Sequence, residues 1–109
     1  MKLPDDSIIS PEKITEYLLK WQPDNDKSQF LAQTGYSSDN WQRLLEDICA
    51  QILPIEAELI RKTAYGDLFR IRGQLLGPNG VSLRVITVWI VEYASAETKF
   101  ITLFPDKEG

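Results

Sequence analysis

Three arginines stand at spacings that suit chemistry: Arg70 and Arg72, with Gln74 two places on, and Arg84 further along. An alternating segment puts such side chains on one face of a strand. Guanidinium forks converging on one surface would hold phosphate, nucleic acid or a partner's acidic strip. The alternative is a solvated sheet face, with arginine stems lying over apolar strand surface and Glu92 pairing one of them. Other constellations are thinner. The carboxylate pairs Asp5 and Asp6, Asp24 and Asp26, and Glu46 and Asp47 are adjacent or belong to loops. Neighbouring helical residues do not converge, and loop carboxylates here read as helix caps. No metal site is therefore expected, and no cofactor. The chain has no histidine, the commonest metal ligand and general base. Its single cysteine, Cys49, flanks an apolar stripe without a local positive partner, and reads as a small core residue. Gly73, Gly77 and Gly80 do not follow a strand and open a helix, so they make no phosphate loop.

The arginines need a sheet beneath them. Val81–Tyr93 is rich in β-branched and aromatic residues and lacks Gly and Pro, so it reads as a central strand. Leu68–Leu76 precedes it, with Phe69, Ile71 and Leu75 on one face and Arg70, Arg72 and Gln74 on the other. Between them lies Gly77-Pro78-Asn79-Gly80, where Pro78 presets φ and Gly80 takes the left-handed position. A three-residue loop with a bulge sets Gly77 against Val81. Phe69 then faces Trp89, Ile71 faces Thr87 and Leu75 faces Leu83. That face belongs under the helices. The other carries Arg70, Arg72, Gln74, Ser82, Arg84 and Glu92 around Ile86, Val88 and Ile90. Ala57–Ala64 and Lys99–Phe104 supply two more strands. Trp41, Leu45, Ile48, Phe69, Ile71, Val85 and Trp89 are expected to form one core.

The first half is helical. Ser10-Pro11-Glu12 is a helix start, with Ser10 as N-cap, and Ile14, Tyr17, Leu18 and Trp21 recur on one face until Pro23. Asp26 caps a short helix, Lys27–Thr34, stopped by Gly35. A third helix follows the cap cluster Ser37–Asn40, runs from about Asp39 to Leu53 and ends at Pro54. Helices first, then strands joined by short connections, predict one α+β domain over residues 1–109: three N-terminal helices on one face of a four-stranded antiparallel meander.

The chain has 109 residues and a net charge of −4. Met1–Glu56 carries five basic and ten acidic residues, and Ala57–Gly109 seven and six. The helical half would repel nucleic acid, so any anion must be met by the strands. No apolar run suits a membrane span or a signal core, and a lone cysteine permits no internal disulfide. A cytoplasmic protein without membrane contact is expected. An edge strand and the apolar patch of Ile86, Val88 and Ile90 predict a homodimer or another partner.

Longer segments carry a resemblance. They are Ile9–Leu19, Lys27–Leu31, Gly35-Tyr36, Trp41 with Leu44, Tyr65-Gly66, Gly77–Gly80, Thr87–Val91 and Phe100–Pro105. In this order they resemble an uncharacterised bacterial family, a domain of unknown function common in cyanobacteria. Related domains occur at the ends of phage head-morphogenesis and polymorphic-toxin proteins. The wider group is similar to the barnase–EndoU–colicin–RelE nucleases, whose open sheet face cuts RNA. The resemblance implies a toxin-like, metal-independent ribonuclease controlled by a small cognate protein. Lys27, Thr87 and Thr102 lie in matching segments and become catalytic candidates. Lys27 or Tyr65 would act as acid, base or charge stabiliser, while Arg70, Arg72 and Arg84 hold the RNA phosphate. The rival expectation is a non-catalytic protein-binding module using the same face.

Overall fold

The computed structural model describes residues 2–19 and 27–106, the side chains of residues 27–29 excepted. Trp21, Pro23 and Asp26, read above as a core residue, a helix stop and a cap, lie outside them. The architecture is α+β: short helical segments, then a four-stranded antiparallel sheet in the order β1-β2-β3-β4. The strands are β1 (Glu58–Lys62), β2 (Gly66–Leu76), β3 (Ser82–Glu92) and β4 (Thr98–Pro105).

The hairpin between β2 and β3 explains their register. The Gly77 amide donates to the Val81 carbonyl at 3.0 Å, and Gly80 takes φ +86°. This closes a three-residue loop, which only a residue tolerant of positive φ completes without strain. Phe69 consequently pairs with Trp89, Ile71 with Thr87 and Leu75 with Leu83, as the alternation requires. The hairpin tip is also anchored. The Asn79 side-chain amide donates to the Gln33 carbonyl at 3.0 Å, and a Cβ on Gly77 would come 2.2 Å from the Thr34 carbonyl oxygen.

The helical half is more broken than its periodicity predicts. Lys13–Leu18 is π-helical, and the Leu19 amide reaches back five residues to Ile14 at 2.9 Å. The Ser10 hydroxyl bonds the Glu12 carboxylate rather than a backbone amide. Helix α1 spans Lys27–Ala32 and ends where Gly35 takes φ +92°. In place of one regular third helix there are three consecutive pieces: a 3₁₀ turn (Ser38–Asn40), α2 (Trp41–Asp47) and a π-helical segment (Ile48–Ile52). Ser37 and Asn40 cap the first of them reciprocally. The expected second helix is thus present as the short α1, while the first and third are replaced by short segments of mixed type.

The core lies between these segments and one sheet face. Ile14, Leu18, Leu31, Leu44, Ile48, Ile52, Ile71, Leu75, Val85, Trp89 and Leu103 are completely buried. Trp41 and Leu45 pack only partly against them. Gly73 lets the end of the helical half approach the sheet. A Cβ there would lie 2.6 Å from the Ile55 side chain and 3.0 Å from that of Ile52. A polar tie reinforces the junction. The buried Tyr36 hydroxyl donates to Asp47 Oδ2 at 2.6 Å, and Arg43 Nε donates to the same carboxylate at 3.0 Å. Gln51 clamps the Leu76 backbone at both its amide and its carbonyl. Burial, and then the bond to Asp47, push the Tyr36 phenol well above its ordinary pKa.

The sheet edges differ. All five residues of β1 are exposed, and its ladder to β2 slips between Leu59 and Arg61, leaving Ile60 as a bulge. The start of β4 is covered by the N-terminal arm: the Ile8 amide donates to the Thr98 carbonyl at 2.7 Å, and the Phe100 amide donates back to Ile8 at 2.8 Å.

Candidate functional site

The face of the sheet turned away from the core can be read row by row from the register. Glu58 of β1 lies beside Arg70, Arg70 beside Val88, and Val88 beside Thr102. In the next row Arg72 pairs with Ile86 and Ile86 with Phe104. In the last, Gln74 pairs with Arg84, whose carbonyl accepts the Asp106 amide at 3.0 Å. Alternation brings Arg70, Arg72 and Arg84 onto one surface. It also gives that surface an apolar middle.

A cleft of about 500 Å³ opens in this middle, lined by Ile60, Arg70, Arg72, Ile86, Val88, Phe104, Pro105 and Asp106. Ile86 is buried, at 9 % exposure, and forms the floor. The bulge of β1 at Ile60 and the end of β4 supply the sides. A smaller depression of about 250 Å³ adjoins it, between Arg72, Gln74, Arg84 and Asp106.

The arginines differ in state. Arg70 Nη2 meets Glu58 Oε2 at 3.4 Å, and its Nε is buried without a hydrogen-bond partner. Arg72 Nη1 lies 3.9 Å from the Asp106 carboxylate, whose side chain is only 9 % exposed. Arg84 is exposed, with no ion pair among the described residues. Both of these ion-pair distances exceed that of a charge-assisted hydrogen bond, about 2.7–2.9 Å.

The other candidates from the sequence do not gather here. Tyr65 is 80 % exposed and lies just before Gly66, at the end of β2 opposite to Gln74. Thr87 is fully buried on the core face, where its hydroxyl accepts the Trp89 indole N–H at 2.8 Å. The Thr102 hydroxyl lies 3.0 Å from the Tyr17 hydroxyl, which ties β4 to the first helical segment. Lys27 opens α1, and its side chain lies outside the described residues. Among the described residues no group of three or more His, Cys, Asp or Glu is placed to hold a metal ion, and no helix is long and apolar enough to cross a membrane. Cys49 is half-buried, and burial pushes its thiol up.

Sequence reasoning missed Ile60, Phe104 and Asp106 as parts of this site. Phe104 was within reach of a β3–β4 register, but that ladder slips between Val88 and Trp89. Asp106 follows the last strand and reads as part of a charged tail.

No curated protein and no solved structure matches the chain. A family model does match, over residues 2–107, and it is described as a domain of unknown function. Since that match spans nearly the whole chain, the protein belongs to the DUF6883 family.

Proposed function

We propose that this domain is a non-catalytic binding module whose open sheet face takes an apolar group carrying an anion. An acidic, apolar-studded segment of a partner protein has that composition. The cleft carries the reading: about 500 Å³, floored by Ile86 and Val88, with Phe104 on one side and Arg70 and Arg72 on the other. Its volume falls in the usual range for ligand sites, roughly 300–1,000 Å³. Apolar lining favours displacement of water, and the guanidinium groups fix where the charge must sit. General acid–base work needs groups within about 3 Å of the reacting atoms. Tyr65 is not among the residues that line the cleft, and the Thr87 and Thr102 hydroxyls are engaged with Trp89 and Tyr17.

The test uses 8-anilinonaphthalene-1-sulfonate, an apolar body with one anionic group, followed by NMR on the folded protein. Shifts should centre on Ile86, Val88 and Phe104. Arg70→Ala with Arg72→Ala should weaken binding about ten-fold or more, the scale of charged hydrogen bonds. Shifts elsewhere, or none, would overturn the proposal.

A second reading, a toxin-like, metal-independent ribonuclease, draws support from the three arginines sharing one open face. Incubating the protein with total RNA and EDTA tests it. Cleavage that disappears in the Arg72→Ala, Arg84→Ala double variant would put this reading first. A homodimer is a further proposal for β1, whose edge is exposed. Light scattering at high concentration tests that association.

A further inference from the structure

We infer that Arg72, Gln74 and Arg84 form a second anion subsite on the open face, held closed by the chain's own Asp106, so that the ligand carries two anionic groups. This rests on the binding reading above. The depression between these residues measures about 250 Å³ and shares Arg72 and Asp106 with the larger cleft. Gln74 and Arg84 are cross-strand partners, and Arg72 is the diagonal neighbour of Arg84. Side chains so related lie roughly 7–8 Å apart at their bases, within reach of one anion.

Asp106 already occupies this ground. Its backbone amide is pinned to the Arg84 carbonyl at 3.0 Å, and its carboxylate stops 3.9 Å from Arg72 Nη1. Guanidinium forks favour bidentate contact with an oxyanion, so an anion that bridges Arg72 and Arg84 competes with Asp106 for this ground. Arg84 has no competing ion pair among the described residues. One anionic group of the ligand therefore lies beside Arg70 and the other between Arg72 and Arg84, with the apolar body over Ile86 and Val88.

Inorganic phosphate is the probe, titrated at constant ionic strength and followed by NMR at the arginine Nε–H groups. Asp106→Asn should tighten binding about five-fold, by removing a like charge a few ångströms away. Arg84→Ala should weaken it about ten-fold, and Arg84→Lys should restore part of the loss. Melting curves check that each variant stays folded. Phosphate binding indifferent to Arg84→Ala would overturn the subsite. Unchanged affinity in Asp106→Asn would overturn the role of Asp106. Failure of the naphthalene sulfonate to bind, with phosphate binding intact, would strike the cleft reading and leave the subsite standing.

Discussion

The two faces of this sheet are built from the same strands and obey opposite rules. On the core face Phe69, Ile71, Leu75, Val85, Trp89, Phe100 and Leu103 are all at most 6 % exposed. Its buried hydroxyl, Thr87, is satisfied by the Trp89 indole. The open face mixes arginines, apolar side chains and carboxylates at very different depths, from Asp106 at 9 % side-chain exposure to Glu58 at 55 %, with ion pairs at 3.4 and 3.9 Å. One face is optimised for packing. The other holds ion pairs above an apolar floor, an arrangement that adds little to stability.

Substitutions should separate the faces. Trp89→Ala opens a cavity in the core and should cost about 3–5 kcal/mol in chemical denaturation. Gly77→Ala comes next. A Cβ would collide with the Thr34 backbone, and overpacking of this kind should cost about 1–3 kcal/mol in the same measurement. Tyr36→Phe should cost about 1–2 kcal/mol. It should also change the alkaline limb of stability. The folded pKa of Tyr36 is raised, so its contribution is present below the unfolded value of about 10 and is lost as pH rises above it. Melting temperature above about pH 10 should therefore fall more steeply for the wild type than for Tyr36→Phe. Arg72→Ala with Arg84→Ala should change stability by about 0.5 kcal/mol or less while removing anion binding. A large loss of stability in that double variant would erase the contrast between the faces.

Much of this was legible. The Gly77–Gly80 loop sets the β2–β3 register, and the parity of Phe69, Ile71 and Trp89 then assigns the faces. The same parity puts Thr87 in the core, so a residue in a family-like segment need not be a site residue. The helical segments were less legible. Apolar spacing marks Ile14 and Leu18 as buried but does not distinguish an α turn from the π turn that closes at Leu19. Nor does composition announce a bulge. The slip in β4 falls within Lys99–Phe104, where apolar residues occur on both parities, so no pattern decides whether Phe104 faces the core or the cleft. Asp106 was hidden because its place depends on backbone pairing beyond the strand's side-chain pattern.

Edge-to-edge growth of sheets requires two sticky ends, as a chain of links requires two hooks on each. Here the Ile8 arm already sits along the start of β4, and the exposed strand at the opposite side is kinked at Ile60. Cover at the start of β4 removes part of one hook, and the slip at Ile60 breaks the regular spacing of donors and acceptors along the other. Neither side offers the long, flat ladder that repeated strand addition needs, so raising the protein concentration should not drive fibres.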